Sequence, residues 1–222
     1  MDLSEVRDFS GPFSEETFEV LGSFLNNLPE KVRLVVHASV QNSCTEEHTA
    51  ELCSVLAERF EMIEYRNRPR IADFPWHPIT AVYGVDEHGK DIDYRIRFFG
   101  HPAWYQINSL IGAIQAVSFR GSTLEAKTRI HLSRLKKEVS IETFTSPENE
   151  GGVPMATMAC NFAVVNPHIR TFVCMANDFP SLIAQYSIYS LPHTIINKNH
   201  HLEGLYDEDK FLKAIAKSVK NT

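Results

Sequence analysis

The feature that most limits what this chain can become is an internal repeat. Both halves read as strand, helix, strand, hairpin, helix, and the same punctuation recurs in each. Pro78-Ile79-Thr80 and Pro192-His193-Thr194 each open a hairpin strand, 114 positions apart. Each hairpin ends in a glycine before a helix, Gly100 in the first half and Gly204 in the second. A proline is tolerated at the start of a strand because its missing N–H need not join the ladder. Two at equivalent places point further, to cis bonds at His77-Pro78 and Leu191-Pro192. The chain is expected to fold as two copies of one α/β unit, residues 1–120 and 121–222, each a mixed sheet flanked by helices. The two sheets are expected to be separate and packed side by side, with Gly121 to Thr123 as the joint.

Local patterns place the elements. Phe18, Leu21, Phe24 and Leu25 recur at helical spacing after Ser14, which can cap a helix over 14–27. Val32 to Ser39 opens with Val32, Leu34, Val35 and Val36, apolar on both faces, as a strand inside a sheet should be. Thr45 to Phe60 is an amphipathic helix with Glu46 and Glu47 in its first turn. A strand at 62–65, a hairpin over 79–83 and 91–99 and a helix over 103–117 complete the first half. In the second, helices at 123–135, 154–165, 181–186 and 208–219 alternate with strands at 139–144, 169–174, 193–196 and 201–205.

Composition removes several classes of function. Twenty-two Lys and Arg against 28 Asp and Glu leave a net charge of -6, so no overall positive field recruits nucleic acid. The longest apolar stretch, Leu110 to Phe119, is about half of the roughly 20 residues a membrane span needs. Met1 to Glu5 lacks the basic start and apolar run of a secretory signal, which points to the cytoplasm. The four cysteines, Cys44, Cys53, Cys160 and Cys174, show no two-residue spacing, so reduced thiols are the expectation. His168, His193, His200 and His201 have no metal-ligand spacing, and no glycine-rich phosphate loop or serine-hydrolase motif is present. No metal or cofactor is expected.

Several stretches together resemble a tandem pair of thioredoxin folds. They are Glu142-Thr143-Phe144, Met158-Ala159 to Asn166-Pro167-His168-Ile169, Ser187 to Pro192 with Ile195-Ile196-Asn197, and, more thinly, Val32 to Ser39, His77-Pro78 and Arg97 to Pro102. The chain is similar to the glutaredoxin-like protein disulfide oxidoreductases and to the N-terminal domain of the flavoprotein subunit of alkyl hydroperoxide reductase. The lack of a helix between Tyr65 and Pro78 looks more like the latter. The resemblance implies a groove beside each cis proline, and chemistry from Cys-x-x-Cys at the start of the helix after each half's first strand, where the dipole favours a thiolate.

The chain departs from that pattern at both sites. In the second half the matching loop is Asn149-Glu150-Gly151-Gly152-Val153, without cysteine, followed by Pro154 where the helix is expected to begin. Glu150, Gly151, Gly152, Leu191 and Pro192 are therefore candidate binding residues, with Glu150 placed where the helix dipole welcomes a carboxylate. In the first half Cys44 stands at the attacking position and Glu47 replaces the resolving cysteine. One thiol can attack a disulfide or form a mixed disulfide with glutathione, but it cannot resolve it. Glu46 and Glu47 oppose a thiolate, whereas His77 can offset them. Cys44 is the catalytic candidate, with Thr45, Glu47, His77 and Pro78 around it, and an ordinary cysteine near a helix start is the plain alternative. Cys53 lies about 13 Å further along the same helix at 1.5 Å per residue, too far to bridge. Three readings stay open: a module binding a peptide or protein partner, a monothiol oxidoreductase using glutathione, and a redox sensor whose two copies join through Cys44.

Overall fold

The structure, a computed structural model, describes residues 14–39, 43–72, 74–121 and 123–220. Met1 to Glu5, read above for a leader, and Ser122 in the expected joint lie outside the described residues. The first half runs α1 (Glu15–Leu25), β1 (Val32–His37), α2 (Cys44–Arg59), β2 (Ile63–Arg68), β3 (Ile79–Val85), β4 (Asp91–Phe99) and α3 (Gln106–Ser118). The second runs α4 (Ala126–Ser133), β5 (Val139–Thr145), α5 (Gly152–Val165), β6 (Ile169–Met175), α6 (Pro180–Gln185), β7 (His193–Ile196), β8 (His200–Glu203) and α7 (Glu208–Lys220). Ser14 caps α1, its Oγ accepting from the Thr17 amide at 3.2 Å. Between β2 and β3 the prolines Pro69, Pro75 and Pro78 remove amide donors, and the segment stays irregular where the second half forms α6.

Within each half the strands pair identically. β1 is parallel to β2 and antiparallel to β3, which pairs with β4, just as β5 is parallel to β6 and antiparallel to β7, which pairs with β8. The repeat read from the sequence is real, but the expectation of two separate sheets is wrong. The eight strands form one sheet in the order β2-β1-β3-β4-β6-β5-β7-β8. The joint is β4 against β6, in parallel register from Ile96↔Thr171 to Phe99↔Cys174. Left apart, each of these strands would expose a row of unpaired N–H and C=O groups; side by side they satisfy one another.

Strand alternation divides the apolar residues between two faces. On one face Leu34, Phe98, Ile141 and Val173 pack under α3 and α5 in the main core, where Leu110, Ile114, Cys160 and Phe162 are fully buried. On the other a smaller cluster forms from Ile79, Phe99, Phe144, Cys174 and Ile195 beneath Leu182 of α6, with Phe74 and Trp76 of the irregular segment packed against it. Cys160 and Cys174 thus lie on opposite sides of the sheet. Among the described residues no helix is long and apolar enough to cross a membrane.

Candidate functional site

In the second half, β5 runs into the loop that precedes α5. The helix begins at Gly152 with Gly151 as its cap, two residues before the expected start near Pro154, so exposed Glu150 lies ahead of the cap and not in the first turn. Close packing sets this boundary: a Cβ on Gly152 would stand 1.8 Å from Thr145 Oγ1. The loop is fastened to the first half, because Gln106 Nε2 donates to Asn149 O at 2.7 Å and the Tyr105 amide to Pro147 O at 3.2 Å.

Facing this loop is the turn into β7. The Leu191-Pro192 bond is cis, and Pro192 Cδ lies 3.4 Å from where a Gly151 Cβ would be. Gly204, at φ 78°, donates its amide to Pro192 O at 2.9 Å. The first half repeats the device, with His77-Pro78 cis and Gly100, at φ 86°, donating to Pro78 O at 3.0 Å. Between the loop and the turn opens a groove of about 380 Å³, with Ser146, Glu148 and Asn149 on one side and Ile188, Tyr189 and Leu191 on the other. Tyr189 is 93% exposed at the rim, and exposed Leu205 touches the Gly151 position. Neither the amide nor the carbonyl of Leu191 makes a backbone hydrogen bond among the described residues. Asn149 Oδ1 and His193 Nδ1 are buried without a hydrogen-bond partner among the same residues. His193 Nε2 meets His201 Nδ1 at 2.8 Å, and burial, then His201, lowers the His193 pKa.

In the first half Cys44 is the first residue of α2 and is exposed, after an N-cap in which Ser43 Oγ accepts from the Glu46 amide at 3.3 Å. Its Sγ lies 3.4 Å from His48 Nε2, one helical turn on. The His48 ring stands 6.0 Å from that of His101. Thr49 Oγ1 donates to Thr45 O at 2.7 Å and so accepts from His101 Nδ1 at 3.1 Å, which places a proton on Nδ1. Burial, reinforced by His48, pushes the His101 pKa down to about 4. The His101 amide donates to Asp178 Oδ2 at 2.8 Å, across the β4–β6 joint.

His77 does not serve Cys44. Its Nε2 accepts from the Ile71 amide at 3.0 Å, while burial and then Arg70 lower its pKa, so it is a neutral acceptor holding the irregular segment. Glu46 does not face the thiol as a bare charge either. It is fully buried and bound by Arg70, by the Ser39 amide at 2.5 Å and by Ser43 Oγ at 3.2 Å. Burial works to raise its pKa, but those partners outweigh burial and hold it below the usual carboxylate value. Of the two flanking acids only Glu47 is left exposed. The group beside the thiol, His48, was missed; the four-residue spacing that puts both on one helix face was the available signal. Thr45 contributes its carbonyl to this network, and Pro78 its carbonyl to Gly100.

The N-terminal domain of alkylhydroperoxide reductase AhpF from Enterococcus faecalis superposes with a TM-score of 0.82 at 20% identity, over 91% of this chain and 99% of that one. A protein disulfide oxidoreductase from Aeropyrum pernix gives 0.82 at 23% identity, over 96% and 95%. Sso1120 from Sulfolobus solfataricus gives 0.60 at 13% identity, over 82% and 95%. No protein-family model matches the chain, and no curated protein matches it in sequence. The architecture is thioredoxin-like, an α/β fold with redox proteins among its structural neighbours.

Proposed function

We propose that this thioredoxin-like protein binds an extended segment of a protein partner and has lost dithiol–disulfide exchange. The groove beside Leu191-Pro192 carries the reading. It offers an amide and a carbonyl at Leu191 without a backbone partner among the described residues, an exposed Tyr189 and Leu205 at the rim, and no sulfur in the loop from Asn149 to Val153. An extended peptide entering there gains main-chain hydrogen bonds to Leu191, and rim side chains select among sequences. Exchange needs two thiols within reach. Cys44 stands alone at the surface, and Cys53, Cys160 and Cys174 are buried. Residues 1–120 and 121–222 are then two domains that share a sheet, the second carrying the groove. Reduced cysteines suit a cytoplasmic setting, and the reading calls for no metal or cofactor.

The test is a peptide library panned on the protein, with selected peptides measured by fluorescence anisotropy. Tyr189→Ala with Leu205→Ala should weaken them at least tenfold, and N-methylation at the peptide's central amides should abolish binding. Peptides indifferent to both changes would place recognition elsewhere. With a dithiol donor, the protein should reduce a disulfide substrate no faster than the donor alone.

The contact between Cys44 Sγ and His48 supports a second reading, a monothiol oxidoreductase that passes through a mixed disulfide with glutathione. A glutathione-dependent activity abolished by Cys44→Ser, but not by Cys53→Ser, Cys160→Ser or Cys174→Ser, would establish it. A Cys44-linked dimer on a non-reducing gel would favour the sensor.

A further inference from the structure

A second cavity lies on the sheet face that α3 and α5 leave uncovered. Its floor is Phe99 of β4, Phe172 and Cys174 of β6, and Glu142 with Phe144 of β5; its walls are Phe74 and Trp76 on one side and Leu182 of α6 with Tyr186 at its C-cap on the other. The volume is about 170 Å³, close to the roughly 150 Å³ of an apolar cavity that holds benzene, which suits one small group and not an extended chain. The missing helix of the first half makes this space, since the proline-rich segment that replaces it supplies two aromatic rings and no backbone ladder.

The chemistry of the lining is one-sided. Among the described residues, six aromatic side chains and one carboxylate line it. Phe74 and Phe99, and Phe99 and Phe172, stack with ring centroids 5.5 Å apart, while Trp76 stands edge-on to Phe74 at 5.3 Å. Glu142 is half-buried on the floor, with Ser140 Oγ donating to it at 3.1 Å, and burial, then the nearby Glu142 charge, raises the Tyr186 pKa. No Lys, Arg or His forms a salt bridge with Glu142 among the described residues. Aromatic faces are electron-rich, and a carboxylate with no ion-pair partner among the described residues adds negative charge, so the field in the cavity favours a cation. The chain illustrates the preference: the guanidinium of Arg170 sits over the Phe172 ring at 6.0 Å from its centroid. An inorganic cation would strip off its water with too few oxygen ligands to replace it. A methylated ammonium sheds little hydration and packs its methyl groups against rings.

We propose that this aromatic box binds a small organic ammonium ion, its charge held by Glu142 and the ring faces and its apolar body against Phe99, Phe172 and Trp76. The site is separate from the peptide groove and stands whether or not that reading holds. The probe is benzyltrimethylammonium, read by Trp76 fluorescence in the Trp104→Phe protein, which leaves Trp76 as the sole tryptophan. Benzyl alcohol and phenylacetate are the neutral and anionic controls. The expected result is saturable quenching by the ammonium and none by either control over the same concentrations. Glu142→Gln, nearly isosteric and checked for folding by circular dichroism, should weaken binding at least tenfold. Arg170→Ala removes the competing cation and should leave binding equal or tighter. Absence of saturation with the ammonium, equal binding of the neutral control, or an unchanged affinity in Glu142→Gln would overturn the proposal.

Discussion

Replacing Glu46 should cost more stability than any other single carboxylate in the first half, because it is a fully buried acid that ties three segments together. Its oxygens accept from Arg70 in the irregular segment, from the Ser39 amide after β1 and from Ser43 at the α2 cap. Glu46→Gln keeps an oxygen for the Ser39 amide but turns the Arg70 contact into an ordinary hydrogen bond. Breaking a buried ion pair costs about 3–5 kcal/mol, but Arg70 is 43% exposed and rehydrates, so about 2 kcal/mol is expected. Glu46→Ala also strands the Ser39 amide, raising the loss to roughly 3–4 kcal/mol. Urea unfolding reads both as a lower midpoint at constant slope. Thermal unfolding of the Gln variant should drop by about 4–8 °C for a chain of this size. The pH dependence has a definite sign. The folded carboxyl titrates below its ordinary 4.5, so its contribution is complete above that pH and is lost as pH falls through the folded value. The gap between wild type and Glu46→Gln should therefore close in acid. A loss under about 0.5 kcal/mol in Glu46→Gln, equal losses in both variants, or a gap that does not narrow as pH falls below 4.5 would refute the assignment.

Gly152→Ala should destabilise by about 1–3 kcal/mol and disturb peptide binding together with stability, since the new methyl would overlap Thr145; an unchanged urea midpoint would contradict the packing. In the native protein only Cys44 should react quickly with an aromatic disulfide reagent. Cys53, whose thiol burial pushes up to about 12, and Cys160 and Cys174, pushed up further by burial, should wait for unfolding. Two fast thiols would contradict this burial. His101, at about 4, is neutral in the fold while the unfolded chain protonates near 6.5, so stability should fall as pH drops between those values, by up to roughly 3 kcal/mol. His101→Asn should flatten that slope in urea titrations from pH 4 to 7, and an unchanged slope would reassign it.

Much of the fold is readable along the chain because it is local. Apolar residues on both faces of Val32 to Val36 mark an interior strand, and Phe18, Leu21 and Leu25 mark one helix face; periodicity depends only on neighbours. The repeat of proline and glycine 114 residues apart gave the tandem plan for the same reason, since each marks a backbone conformation that few residues adopt. The pairing of β4 with β6 was not readable. Phe98-Phe99 and Val173-Cys174 look equally suited to two buried edges and to one shared joint, and only the gain from closing both edges at once decides between them. The site divides in the same way. That neither half keeps a Cys-x-x-Cys is written in the sequence, as is the helical spacing of Cys44 and His48. That Arg70 pairs with Glu46, that Asp178 of the second half holds His101 of the first, and that six aromatic side chains line one cavity with Glu142 are settled by the placement of residues far apart in the chain. Side-chain electrostatics at these sites follow from burial and partners, and tertiary structure alone supplies both.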